Sequence, residues 1–169
     1  MRIKEAPSSI FVRLFCFVPY ILPILEGFQD FGELVLPDYP FGIMRMYKKT
    51  FMPYVAFYME HGWVSMVIFM LLYYFIVSQK APISFHRIIK FNTLHAIILY
   101  MITIVFANLF RLLPIGFKAS LYGMMLCNTL FWFVLSTVLY SLWHAINATY
   151  PEIPVLSEGA RMHLDFEVD

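Results

Sequence analysis

Charge is scarce in this sequence. Asp, Glu, Lys and Arg make up 14% of its 169 residues, and 12 basic against 11 acidic side chains leave a formal net charge of +1. So little polar surface cannot cover a soluble globule. With no basic excess to neutralise phosphates, nucleic acid is not expected as a partner. Cysteine is scarcer still. Cys16 and Cys127 both lie inside apolar runs, which leaves no disulfide framework and no CxxC metal site and marks them as core residues. There is no HExxH spacing, no GxSG-type serine and no paired aspartate in any apolar run, so an enzyme is not expected, nor is a bound cofactor or metal. The rest of the chain is apolar: 61% is hydrophobic and 19% aromatic. The expected fold class is an all-α polytopic membrane protein, one integral membrane domain over residues 1–169. Four transmembrane helices are expected at about 10–25, 62–79, 91–113 and 121–148, with a short amphipathic surface segment between the first and second and an extended acidic tail over 150–169.

The first span is awkward. Arg2 and Lys4 precede it as in a signal peptide, but no small-residue cleavage site follows, so the segment is expected to stay in the protein. Pro19 and Pro23, one turn apart, predict a short, broken helix. Arg13 within it either marks the boundary, snorkels to the interface or faces protein. From Glu26 to Pro53 acids, bases and prolines interleave with Phe28, Phe31 and Val35 at i, i+3 and i+7, a spacing that predicts a short helix on the membrane surface. Arg45, Lys48 and Lys49 close this connector and would meet anionic headgroups. Glu60 and His61 then depend on where the second span begins. A start at Gly62 leaves them among headgroups, and a start near Tyr54 places them inside, in need of partners.

His86, Arg87 and Lys90 form a basic connector into the third span, and the chain is organised around this stretch. Asn92, His95, Ala96, Leu99, Thr103 and Ala107 share one helical stripe, small and polar, with bulky residues elsewhere. Such a stripe is a packing face, or a wet one. On the fourth span Thr129, Ser136, Tyr140, His144 and Asn147 fall within an arc of about 80°, a second polar stripe expected to meet the first. The candidates for a translocation path or for helix packing are therefore Asn92, His95, Thr103, Ser136, His144 and Asn147. Asn147, Ala148 and Thr149 also spell a glycosylation acceptor, a weak signal at the end of a span.

Four stretches in order carry a resemblance: YILPILEGF from Tyr20 to Phe28, YVAFY from Tyr54 to Tyr58, RIIKFNTLHAIIL from Arg87 to Leu99, and PEIPVLSEGA from Pro151 to Ala160. Together they resemble the Tic-twenty family, the small multi-pass subunit of the protein import translocon in the chloroplast inner envelope membrane. The family commonly has Arg-Phe-Asn and then Gln-Ala where this chain has Lys90, Phe91, Asn92 and His95, Ala96. The resemblance implies a path for unfolded preproteins, other inner-envelope translocon subunits and membrane lipids as partners, and both termini in the stroma. No Arg-rich, Ser-rich transit segment precedes the first span, which points to a plastid-encoded protein or one whose targeting segment is removed. Two other classes compete. A small-cation transporter would use an intramembrane acid, for which Glu60 is the candidate; a haem or quinone redox subunit would set His95 and His144 at matched depth.

Overall fold

The computed structural model describes residues 10–36, 39–40, 43–78, 85–147, 149–153 and 156–165. In chain order the helices are α1 (Ile10–Phe15), α2 (Ile21–Gly27), α3 (Glu33–Val35), α4 (Ile43–Thr50), α5 (Met52–Glu60), α6 (Gly62–Leu72), α7 (Arg87–Leu112), α8 (Ile115–Lys118), α9 (Leu121–Ile146) and α10 (Leu156–Asp165). A 3-10 turn at Val18–Tyr20 links α1 to α2, and π turns at Phe28–Gly32 and Tyr73–Val77 continue α2 and α6. Three stretches are long and apolar enough to cross a membrane: Ile10–Gly32, Arg87–Leu112 and Leu121–Ile146. The pair Met52–Glu60 and Gly62–Val77, bent by 93°, supplies a fourth if counted as one. Hydrocarbon offers backbone groups no partners, so each N–H is satisfied within its own segment. The chain is an all-α polytopic membrane protein.

α7 lies at the centre. Fourteen of its 26 residues are buried, against eight of 26 in α9, because the broken first span, α6 with its π turn, α9 and α10 all pack around it. The first span runs parallel to α7 and antiparallel to α9. Cys16 joins Ile88 and Ala145, Tyr20 joins Leu99 and Val138, and Phe31 joins Phe110 and Cys127. A Cβ on Gly27 would stand 3.1 Å from Val134, the close approach that small residues allow between membrane helices. Arg13 faces protein: its guanidinium donates to the Ile146 carbonyl at 2.9 Å and satisfies the open end of α9.

Several expected boundaries move. The first helical stretch does not stop near residue 25 but runs to Gly32, so Phe28, Phe31 and Val35 are buried in the bundle and do not lie on its surface. The amphipathic segment between the first two spans is instead α4, with Tyr47 buried and Arg45, Lys48 and Lys49 exposed. The misplacement has a physical reason. Three apolar residues at i, i+3 and i+7 fit a surface helix and a buried one equally well, and the continuous apolar run before them decides in favour of the span. The second span starts earlier than residue 62 and breaks at His61, leaving Glu60 exposed beside the bend. The tail is not extended throughout. Irregular backbone leads from Thr149 to Ile153, after which α10 buries Leu156 and Ala160 against the first half of α7. Arg2 and Lys4 lie outside the described residues, as does Ala148.

Candidate functional site

Two polar clusters sit inside this apolar bundle. The first is built where the first span crosses α7. Pro19 enters the 3-10 turn at its start, where its missing N–H leaves no bond unmade, and the turn aims Tyr20 inward, fully buried. The Tyr20 hydroxyl donates to Asn92 Oδ1 at 3.1 Å and lies 3.1 Å from His95 Nδ1. Asn92 Nδ2 donates to the Ile88 carbonyl at 2.8 Å, which orients the amide. A phenol has one proton, so while Tyr20 donates to Asn92 it accepts from His95. His95 is then the Nδ1–H tautomer with a bare, buried Nε2, and among the described residues no partner reaches that atom. Phe91 stacks on the ring at 6.1 Å between centroids, and Ser141 of α9 faces Tyr20 from the other side. Further along the stripe Thr103 donates to the Leu99 carbonyl at 2.8 Å and is fully buried.

The second cluster escaped the sequence reading, which assigned Glu26 and Asp30 to a surface connector. Both lie within the first membrane stretch, one turn apart, and Glu26 is 8% exposed. The Tyr58 hydroxyl of α5 donates to Glu26 Oε2 at 2.6 Å, and the Arg111 guanidinium of α7 donates to Asp30 Oδ1. Asp30's side chain is 3% exposed and Arg111's 60%, so the cation reaches in from the end of α7. Lys118 Nζ in turn donates to the Arg111 carbonyl at 3.1 Å. The signal was present in the sequence: carboxylates at i and i+4 directly after an apolar run that continues through Phe28 and Phe31.

The six sequence candidates separate into two groups. Asn92, His95 and Thr103 are fully buried, the first two bonded to Tyr20 of the first span and Thr103 to its own helix. Ser136 and Asn147 are exposed and His144 is half-buried, on the outer side of α9. The stripes therefore do not meet. α9 turns Gly123, Cys127, Phe131, Val134, Thr137, Val138, Ser141 and Ala145 to the core, and that largely apolar arc sets its rotation, leaving the stripe of Thr129, Ser136 and Tyr140 outward. Each outward group has a local partner. Thr129 donates to the Met125 carbonyl at 2.9 Å, Ser136 to Phe133 at 3.2 Å and Asn147 to Trp143 at 2.8 Å, while His144 Nδ1 pairs with Thr149 Oγ1 at 2.8 Å.

A family model described as "Chloroplast import apparatus Tic20-like" matches residues 2–160. The chain belongs to the Tic20 family. It is 50% identical over 157 residues to "Tic20 family protein Ycf60" of Gracilaria tenuistipitata var. liui, covering 93% of this chain and 77% of that protein. The Porphyra purpurea protein of the same name is 42% identical over 160 residues, 95% of this chain and 79% of the other. "Protein TIC 20-v, chloroplastic" of Arabidopsis thaliana is 26% identical over 152 residues, 88% and 68% of the two chains. The four Tic20-like stretches acquire a physical meaning in this fold. The first supplies Tyr20 and Glu26, the second Tyr58, the third Asn92 and His95, and the fourth ends in the first half of α10, which closes over α7.

Proposed function

We infer that this Tic20-family chain is a membrane-embedded subunit of a protein translocase, contributing to the path of unfolded preproteins across the chloroplast inner envelope membrane. Both termini face the stroma, and the chain works beside other subunits of the import machinery. The family match over residues 2–160 carries this reading. The outward hydroxyl face of α9 supports it. A polypeptide in transit brings unpaired backbone groups that cost several kcal/mol each in hydrocarbon, in the range of about 4–8 for transfer to a pure alkane. Ser136, His144 and Asn147 offer them hydrogen bonds without fixed charge. In the absence of substrate the same groups bond locally, so the face tolerates lipid or a partner helix.

Site-specific crosslinking tests the assignment. Cysteine at Ser136, His144 or Asn147 is expected to crosslink a stalled preprotein, whereas cysteine at Asn92, His95 or Thr103, fully buried, is expected not to. Leu139, also exposed but apolar, is the control. Equal labelling at Leu139 and Ser136, or none at Ser136, His144 and Asn147, would remove α9 from the path.

The competing readings meet a different geometry. The redox reading sets His95 and His144 at matched depth, yet His95 bonds Tyr20 inside the bundle and His144 bonds Thr149 at its periphery. The transporter reading moves from Glu60 to Glu26 and Asp30, where one carboxylate holds Tyr58 and the other Arg111.

A further inference from the structure

α4 has two faces. On a helical wheel Arg45, Lys48 and Lys49 share one side, and Ile43, Met46 and Tyr47 share the other. The apolar side does not seat flush on the bundle. Beneath it lies a cavity of about 140 Å³, lined by Phe28 from the first span, Leu36 just after α3, Tyr47 and Phe51 around α4, and Phe131, Trp132 and Leu135 from α9. Two of the polar side chains on its wall, Trp132 and Tyr39, are engaged with each other. Trp132 Nε1 donates to the Tyr39 hydroxyl at 2.5 Å, which donates to Asn128 Oδ1 at 2.7 Å. The exposed lining of the space is almost wholly apolar. A dry apolar cavity of about 150 Å³ takes up a benzene-sized molecule.

The mouth is where Ile43, Met46 and Trp132 are exposed. Lys49 is one helical turn from Met46 on its flank, and Arg45 precedes Met46 directly, so the cationic side borders the opening. Three occupants can be weighed on size and charge. A partner helix, about 10–12 Å across with its side chains, is too wide for the space. A neutral lipid would fill the cavity and leave three cations without an anion. An anionic phospholipid satisfies both halves, because one acyl chain matches the width and lining of the cavity while its phosphate lies within reach of long, snorkelling side chains.

We propose that α4 and the cavity beneath it form a binding site for one anionic phospholipid, an acyl chain lodged between Phe28, Tyr47, Phe131 and Trp132 and the headgroup phosphate held by Arg45, Lys48 and Lys49. Trp132 serves as the reporter. The protein has three tryptophans; Trp63→Phe with Trp143→Phe leaves Trp132 alone in the full chain, reconstituted in phosphatidylcholine vesicles. Phosphatidylglycerol brominated on its acyl chains is expected to quench Trp132 at a mole fraction about fivefold lower than brominated phosphatidylcholine, the factor corresponding to one cation near an anionic surface. In about 1 M salt, where the Debye length falls to about 3 Å, the preference should shrink towards one. Arg45→Gln with Lys48→Gln and Lys49→Gln should abolish it at low salt, and Leu135→Phe, which narrows the cavity from its wall and keeps the charges, should lower quenching by both lipids.

Equal quenching by the two lipids at low salt would overturn the proposal. So would an equal preference reported by a variant that retains Trp143 alone, because that residue is exposed and does not line the cavity, and the effect would then be general accumulation at the surface. If the triple glutamine variant does not fold, the salt series on the unaltered α4 decides. A preference that survives high salt would mean that the phosphate is not held by these cations.

Discussion

At the scale of single residues, the buried hydrogen bonds and the partly buried ion pair are comparable in consequence. Tyr20, Asn92 and His95 share one network away from water, so Tyr20→Phe leaves a carbonyl oxygen and a ring nitrogen unsatisfied, at a cost of about 1–3 kcal/mol. Thermal unfolding in detergent should register that loss. In a background of Asn92→Leu with His95→Leu the same change should be close to neutral, because the groups it would orphan are gone. Additive losses would mean that the three side chains act independently. Arg111→Gln strips Asp30 of its cation. Since Arg111 is more than half exposed, the expected loss is about 1–3 kcal/mol, below that of a fully buried pair, and Asp30→Asn should restore most of it. The stripe on α7 was legible because a 3.6-residue period places Asn92, His95 and Thr103 on one side whatever surrounds them. Tyr20 was not legible as their partner, because no local spacing links a residue on one span to a residue 72 positions further along.

Elements were legible in proportion to their length. α7 and α9, each 26 residues, end close to the expected positions, since a long apolar run leaves few alternatives. The turn between them depends on Gly123. A Cβ there would fall 2.3 Å from the Phe117 carbonyl oxygen and 2.8 Å from Lys118 Cα, both backbone. Gly123→Ala should therefore force α8 off the start of α9, costing roughly 1–3 kcal/mol in a detergent melt; an unchanged melt would mean the turn relaxes freely. α10 was hidden by composition, because two prolines and several acids within twenty residues read as an extended tail. Its helix is secured from outside itself. Ser157 accepts from Ile153 N–H and donates to the Pro151 carbonyl, both at 2.8 Å, and Ala160 fits against Val77, Phe91, Leu94 and Ile97. Ala160→Glu would set a charge on that surface, and α10 should lift away. The check is a cysteine at Ile98, which Gly159 approaches in the native packing: its labelling should rise several-fold in the variant, and equal labelling would mean α10 stays docked.

At the scale of the molecule, one broken span, one bent pair and two unbroken helices make a bundle with a large apolar exterior. Among the described residues of α6 none is buried, and Trp63, Met66 and Met70 face outward, as do Met101 and Leu109 on the second half of α7. Counting the bent pair as one crossing gives four spans and places both termini on the same side. A C-terminal tag in right-side-out vesicles should then resist protease added outside, and its removal would reverse the proposed stromal orientation. The cationic side chains differ too little between the two sides for charge to orient the chain. The sequence by itself determined the class of the protein, the axis of its bundle and the inward face of α7, because hydropathy and helical period are local properties that survive in any packing. Only the tertiary structure decided that Tyr58 and Arg111 meet Glu26 and Asp30, that Tyr20 completes the α7 stripe, that α9 turns Ser136 and its stripe outward and that the tail folds back as α10. In each of these, several local conformations are close in energy, and the choice among them is made by what the side chain meets across the bundle.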